Sequence, residues 1–434
     1  MIPAALTACL AAVAPAEPAF SPSERAAIIE YWRPPERYSI GAVPTAATAG
    51  PWQVRLTPDA SRWFWAYQRA IVGPGKPPPN LDVKAAAPDW ERWVQAKLDY
   101  DRWLAQKAAD ACNRAVLPAA EQKAPPTPPA PGPIPADLLA KVGNPPPLAA
   151  PVVPLRYTVT FDDGDAYTYA DHAVMRPRYA YYRWDQGVMD VGKPLREMSD
   201  SELDPLFAAA GMTPSEARAA KAVSKLEGGF DAVNTYDTGW VSIGFIQCIT
   251  GERGDGSLLE VLAAQKADSP DAFRADFRRY GLDVDAKGLL VAVDPETGAE
   301  LTGNEAVRKV IEDKRLTACF QRAGRRSLAF RTAQVKVAKA HYWPAGDRFS
   351  VTVEGSKLEG VVSDVVKSEA GMATLFDRKV NRGSIAPFAE VLGRVMAAHG
   401  CKSVAEATRY EREIVAALKY RSDFLSDPTL SKPE

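Results

Sequence analysis

From Pro118 to Pro154 the chain turns abruptly into proline and alanine, and this stretch limits what the whole can fold into. Such a segment is stiff, extended and poor at building a core. It reads as a linker over 118–154, interrupted by one short helical turn at Asp137-Leu138-Leu139. The 434 residues then divide into a smaller N-terminal part and a larger C-terminal one, in keeping with two or three domains. The linker buries little, so residues 155–434 are expected to fold and act without the part before Pro118.

On the N-terminal side, residues 20–117 read as a Trp-rich helical module. Trp90, Trp93, Tyr100 and Trp103 follow at spacings of three, seven and three, which puts them near one helix face. A second helix starts around Ser61 to Tyr67. The core of a helical hairpin accounts for these rings more simply than a row of sugar-stacking platforms. The first charge is Glu17, and Met1 to Ala16 resembles the apolar core of a secretory signal without its positive leader. Leu6-Thr7-Ala8-Cys9 is similar to a lipoprotein acceptor box. Residues 1–19 are therefore expected to direct the protein to the periplasm or outside the cell, with Cys9 as a lipid anchor. The alternative is a cytoplasmic protein with a disordered N-terminus.

The formal net charge of -1 supplies no overall basic field for nucleic acid. No apolar run approaches the ~18–20 residues of a transmembrane helix. The five cysteines, Cys9, Cys112, Cys248, Cys319 and Cys401, form no CxxC pair and no zinc spacing with His172, His341 or His399. Neither a metal nor a cofactor is expected, and buried free thiols are preferred over a disulfide.

Beyond the linker, residues 155–195 read as a β-hairpin module. Tyr157, Val159 and Phe161 alternate with Thr158 and Thr160, Asp162-Asp163-Gly164-Asp165 turns the chain, and Tyr167 and Tyr169 resume the alternation. The acidic turn lacks the later ligands of a calcium loop and is read as a turn. Tyr179, Tyr181, Tyr182 and Trp184 either line a sugar groove or pack a core. Residues 196–430 then read as mostly helical, with turn-rich breaks around Asp294–Gly303 and Trp343–Asp347. Ser199 with Glu202, and Thr213 with Pro214 and Glu216, are capping patterns for two successive helices separated at Gly211.

The second of these helices carries Ala219, Val223 and Leu226 on one stripe, with Phe230 just beyond. Glu227 sits at its border and in its last turn, before the stop signal Gly228-Gly229. Partial burial and the negative end of the helix dipole both disfavour its carboxylate, and a raised pKa is what a general acid needs near neutrality. Asn234 to Trp240 then reads as a strand and turn. Trp240 to Gln247 alternates, with Trp240, Ser242, Gly244 and Ile246 on one face and Val241, Ile243 and Phe245 on the other. A helix-end glutamate followed by a hairpin bearing Asp237 and Ser242 can place two carboxyls on opposite walls of a cleft, the pair that glycoside hydrolysis uses. The turn at Thr238-Gly239 sets Asp237 away from the helix end, which favours the longer carboxyl separation and inversion.

These residues resemble the lysozyme superfamily over about twenty positions. Phage-type lysozymes carry Glu-Gly at a helix end, Tyr-x-Asp-Thr in a turn and Thr-Ile-Gly in a strand. Here stand Glu227-Gly228, Tyr236-Asp237-Thr238-Gly239 and Ser242-Ile243-Gly244, with Gln247 where a histidine is usual. The resemblance implies an α+β, mainly helical catalytic domain whose short hairpin lines a cleft. It implies Glu227 as acid, Asp237 as second carboxylate and Ser242 as the hydroxyl that holds water. The same segment is similar to lytic transglycosylases through Glu227, Phe230 and Gly244-Phe245-Ile246-Gln247, which implies one glutamate acting alone and an anhydro product. Tyr236, Trp240, Gln247, Tyr342 and Trp343 are the candidate substrate-binding residues. The expected partner is peptidoglycan or a related amino-sugar polymer, and a catalytically dead glycan-binding envelope protein is the alternative from another class.

Two further features compete for attention. Ser368-Glu369-Ala370-Gly371, with Asp377 nearby, offers a second glutamate, but no hairpin pattern follows and a structural helix is the simpler reading. From Lys314 to Gly346 no acid occurs, while Arg315, Arg322, Arg325, Arg326, Arg331, Lys336 and Lys339 accumulate. They form either a basic face for anionic wall polymers or a solvated helix face.

Overall fold

The computed structural model describes residues 18–43, 50–72, 87–116, 126–171, 176–226 and 228–433. The chain is of mixed α+β class, mainly helical, with several small antiparallel sheets. The signal-like segment with Cys9, His172, and residues 118–125 of the Pro-rich stretch lie outside the described residues. No described helix is long and apolar enough to cross a membrane.

The N-terminal part does not stay on its own side of the Pro-rich stretch. Helix Pro22–Trp32 opens with a capping box of Ser21 and Glu24. It buries Ile28 and Trp32 in the large core that also holds the helices after residue 200. Its docking is polar as well as apolar. The Trp32 indole donates to the Tyr280 carbonyl at 3.1 Å, and the backbone N–H groups of Ala19 and Phe20 donate to the Glu300 carboxylate at 2.8 and 2.9 Å. Strand β1 (Tyr38–Ala42) then pairs antiparallel with β4 (Leu155–Thr160), Ile40 opposite Tyr157. Residues 18–43 are therefore part of the larger body, and the expected module boundary of 20–117 fails at its start. The apolar signals in Phe20, Ile28 and Trp32 were visible, but nothing local says which core they enter.

The described part of the Pro-rich stretch is a strap rather than a spacer. It forms helix Ala136–Val142 and strand β3 (Ala150–Val152), and β3 pairs with β2 (Gln53–Arg55). Leu138 and Leu148 are fully buried in a second core with Trp63, Phe64, Tyr67, Trp93, Val94 and Leu98. An extended chain leaves its carbonyls free, and indole N–H groups use them. Trp93 donates to Gly132 O at 3.2 Å and Trp63 to Gly143 O at 3.3 Å, while Trp90 reaches the Asp137 carboxylate at 2.9 Å. Trp63 and Trp93 thus serve a core, with Trp65 and Trp90 packed against it, whereas Tyr100 and Trp103 of the expected helix face pack on each other outside it.

The hairpin of β4 and β5 (Ala166–Ala170) has the expected alternation, with Tyr157, Val159, Tyr167 and Tyr169 buried. Its acidic turn is neutralised by arginines: Arg279 meets Asp162, Arg322 meets Asp163 and Arg326 meets Asp165, each at 2.6 Å. The basic residues after Lys314, read as either a polymer-binding face or a solvated helix face, find acidic or carbonyl partners within the protein. Arg315 pairs with Asp313, Arg325 with Asp231, Lys336 with Asp268 and Lys339 with Glu216, and Arg331 donates to the carbonyls of Gly324 and Arg325. Arg331 apart, these charges are compensated by nearby acids, although Arg325, Arg326 and Lys336 stay partly open to solvent. Both capping boxes around residues 199–216 are present, and they open helices Asp200–Ala209 and Pro214–Ser224. The region after 196 is less helical than expected. Strands β10 to β12 (Leu282–Val284, Leu290–Val293, Glu300–Thr302) form one sheet, and β13 and β14 (Arg348–Val353, Ser356–Val361) form a hairpin. Phe349, Val351 and Val353 alternate with exposed neighbours, a period-two signal that was legible.

Lys314 is held in this arrangement at a cost. It is fully buried, donates to the Ile311 carbonyl and lies over the Tyr157 ring. Burial lowers its pKa from 10.5 to about 8, against the opposing pull of Asp313 and Asp171. Below pH 8 the lysine is charged in both folded and unfolded chains, and the full cost is present. Between about 8 and 10.5 the folded chain has released the proton while the unfolded chain retains it, so stability rises with pH. A displacement of this size corresponds to about 3 kcal/mol. Lys314→Met is expected to flatten that rise relative to wild type in chemical denaturation at pH 7.5 to 10.5. An unchanged slope would place the lysine's cost elsewhere.

Candidate functional site

The site grows out of the turn after helix Pro214–Ser224. That helix ends on Lys225, and Leu226 is 41% exposed, so the expected apolar stripe of Ala219, Val223 and Leu226 stops one residue short. Glu227 lies outside the described residues, and so does its separation from Asp237. The C-cap of that helix is Lys225, ahead of Gly228 and Gly229. They are needed for close approach: a Cβ on Gly228 would lie 2.5 Å from the Ala232 Cβ and 2.9 Å from the Val191 carbonyl, and one on Gly229 would strike the Lys193 carbonyl. Gly229 N–H donates to Val191 O at 2.8 Å. The next residues are pinned. Asp231 accepts from Lys193 N at 2.8 Å and from Arg325 Nε at 3.0 Å, and Phe230 O accepts from Gln334 Nε2 at 3.0 Å.

From this anchored turn the chain runs through the expected hairpin. Strands β7 (Val233–Asn234), β8 (Ser242–Ile243) and β9 (Cys248–Ile249) pair in order, and β6 (Met189–Asp190) adds an edge beside β7. The strands are shorter than the alternation implies. Ser242 and Ile246 are buried along with Val241, Ile243 and Phe245, so neither face is free to solvent.

Asp237 lies in the loop between β7 and β8. Its Oδ2 accepts from Asn234 Nδ2 at 2.7 Å and its Oδ1 from Gly239 N–H at 2.9 Å. Burial pushes its carboxyl above the ordinary aspartate range, although the Gly239 N–H, the Asn234 amide and the Arg183 charge all favour the anion. Ser242 is brought close. A Cβ on Gly239 would lie 2.5 Å from Ser242 Oγ and 3.2 Å from Asp237 Oδ1, so both oxygens converge on the open side of that glycine. Only glycine leaves that space unfilled.

Two aromatic pairs flank the loop. The Tyr236 ring stands 5.9 Å from Tyr179, and Trp240 stands 4.5 Å from Trp184. Trp240 holds φ at 67°, a left-handed backbone unusual for so large a residue. Arg308 lies over both indoles, 5.2 Å from Trp184 and 5.7 Å from Trp240. The Trp184 indole nitrogen is buried without a hydrogen-bond partner among the described residues. Gln247 is committed locally, its amide donating to Gly244 O at 2.9 Å. Tyr342 and Trp343 join the main core instead. Burial pushes up the Tyr342 hydroxyl, which lies near Cys248 and Ser257, and Trp343 meets Phe376 at 6.1 Å.

The structure thus gathers Tyr236, Asp237, Trp240 and Ser242 and leaves Tyr342 and Trp343 out. Sequence reasoning missed Asn234, Arg183 and Arg308. Asn234, three residues before Asp237, was a local turn signal. Arg308 carries none, because it comes from helix Asn304–Glu312. Glu369 is a structural anion. Burial opposes its charge, yet Arg218, with Nε at 2.9 Å, and Ser431 N–H, also at 2.9 Å, hold it below the usual carboxylate range. Comparison of this chain with protein-family models, with curated proteins and with solved structures returns no match.

Proposed function

We propose that this chain cleaves the glycan strands of peptidoglycan, with Glu227 as proton donor, Asp237 as second carboxylate and Ser242 helping to hold the attacking water. The observation that carries this reading is the Asp237 loop. A carboxyl whose pKa is raised by burial lies beside a serine hydroxyl, between the Tyr179–Tyr236 and Trp184–Trp240 pairs. Flat aromatic rings suit the apolar faces of sugars, and a partly desolvated carboxyl suits proton transfer near neutrality. Such a substrate puts the working protein in the periplasm or outside the cell. Mass spectrometry of digested peptidoglycan tests the proposal: hydrolysis leaves reducing ends, and intact strands after prolonged incubation would sink it.

One observation favours a second reading. Both Asp237 oxygens already accept hydrogen bonds within their own loop, which suits a turn-forming residue, and Glu227 would then act alone as a lytic transglycosylase. Asp237→Asn separates the two. Under hydrolysis the rate falls by about 10²-fold or more; under transglycosylation anhydro products continue at near-normal rate. The variant also has a stability signature. A folded pKa raised above the unfolded one means that stability is full at low pH and is lost as pH rises through the folded pKa. Asparagine stays neutral, so the variant is expected to lack the fall in stability that wild type shows as pH rises from 3 to 7. An equal fall in the variant would refute the burial cost.

A further inference from the structure

One arginine lies over both tryptophans at the end of the Asp237 loop. The Arg308 Cζ stands 5.2 Å from the Trp184 ring centroid and 5.7 Å from that of Trp240, and the two indoles are 4.5 Å apart. Each of the three groups is thus within stacking distance of the other two. Trp240 N–H donates to the Asp237 carbonyl at 3.1 Å, which ties the cluster directly to the loop. Both tryptophans are half-buried, whereas Arg308 is exposed. A guanidinium on an indole is held by the ring's quadrupole and keeps its N–H donors for other partners.

The arginine is held in place from its own helix. Its Nε donates to Asn304 Oδ1 at 3.0 Å, and Asn304 Nδ2 donates in turn to Glu252 O at 2.8 Å. Both residues belong to helix Asn304–Glu312, whose start packs on the turn at Gly254: a Cβ there would lie 3.1 Å from Gly303 O and 3.1 Å from Val307 Cγ2. Nη1 and Nη2 of Arg308 make no hydrogen bond, and no ion pair holds its guanidinium, among the described residues. Trp240 carries an independent signal. Its φ of 67° is strained for a bulky side chain, and such strain persists where the surrounding structure over-determines it, chiefly at active sites and ligand clamps. A stacked guanidinium with both Nη groups unused is pre-organised for a planar anion, and its fork matches a carboxylate.

We infer that Arg308, stacked on Trp184 and Trp240, is a specificity-determining residue that takes a carboxylate from the peptide substituent of an amino sugar bound against the two indoles. The inference rests on the glycan-cleaving reading and names which part of the substrate is recognised. The indoles offer an apolar surface that suits any amino-sugar chain, so they do not tell an acidic glycan from a neutral one. The arginine does, because an amide in place of the acid brings one acceptor oxygen and no charge to the fork.

The test is calorimetric titration of the full chain with three probes: a disaccharide-tetrapeptide with free carboxylates, the same fragment amidated, and chitotetraose. The free acid is expected to bind about tenfold tighter than the amide, the usual scale for hydrogen bonds to a charged group. Arg308→Met keeps an apolar arm over the indoles and removes the charge, so it should abolish that preference by weakening the acid alone. Arg308→Lys keeps the charge without the fork and should retain the preference in part. Equal affinity of the wild-type chain for acid and amide overturns the inference whatever the variants do, and so does a preference that survives Arg308→Met. An Arg308→Met chain that loses affinity for all three probes alike assigns the arginine to packing of the indoles and overturns it too. Cleavage of peptidoglycan in both forms is followed in parallel. Cleavage with no acid preference overturns the inference and leaves the glycan reading standing. An Arg308-dependent preference without cleavage supports the recognition and removes the enzyme.

Discussion

Glu227→Gln is expected to lower glycan cleavage by about 10²- to 10⁴-fold while leaving the melting temperature within ~2 °C of wild type, the loss typical of a missing general acid. The exchange is nearly isosteric and removes only the transferable proton. On either side of it, Leu226 is exposed and Gly228 is packed closely against Ala232 and Val191. Turbidity clearing and product release from purified cell walls measure it. Activity within about threefold of wild type would reassign the proton donor to Asp237, whose carboxyl burial pushes above the ordinary aspartate range. Glu369 could not replace it, because Arg218 and Ser431 stabilise its anion.

Removal of residues 1–43 is expected to abolish cooperative folding. Phe20, Ile28 and Trp32 are 0%, 2% and 2% exposed. Full burial of such side chains contributes roughly 1.5–3 kcal/mol each, hence about 5–9 kcal/mol together, against a typical whole-domain stability of about 5–15 kcal/mol. The truncation also strips β1 from β4 and leaves an unpaired strand edge, an invitation to aggregation. The Glu24–Arg278 ion pair, 2.7 Å long, goes with it. Circular dichroism during thermal unfolding of residues 44–434 is the measurement. A sharp transition within about 5 °C of the full chain would show that the N-terminal helix only decorates the surface. Trp32→Ala alone should cost about 3–5 kcal/mol.

Much of the site's local scaffold was legible. The capping boxes at Ser199 and Thr213, the hairpin after residue 232 and the turn at Asp237 depend on residues within a few positions of one another, so their hydrogen bonds are fixed by short-range chemistry. The β4–β5 hairpin was legible for the same reason, since alternation with an acidic turn specifies both strands and their register. The arrangement of those pieces was not legible. Whether the arginines after Lys314 face solvent or the acids of a distant hairpin depends on packing between chain segments about 160 residues apart. The Pro-rich segment illustrates the limit most clearly. Its composition says that it cannot make a core alone, but two leucines and a few free carbonyls suffice to complete one that Trp63 and Trp93 begin.

What the sequence by itself determined, then, is the two capped helices, the β4–β5 hairpin and the identity of the Asp237 loop, because caps, turns and alternation are decided within one or two turns of chain. What only the tertiary structure decided is the environment of that loop. Burial of Asp237, the company of Arg183 and Arg308, and the docking of Ala19 and Phe20 on Glu300 some 280 residues away all require distant segments to meet. Burial and charge act through space and not along the chain, so the proton affinity of a side chain is written only in the folded molecule.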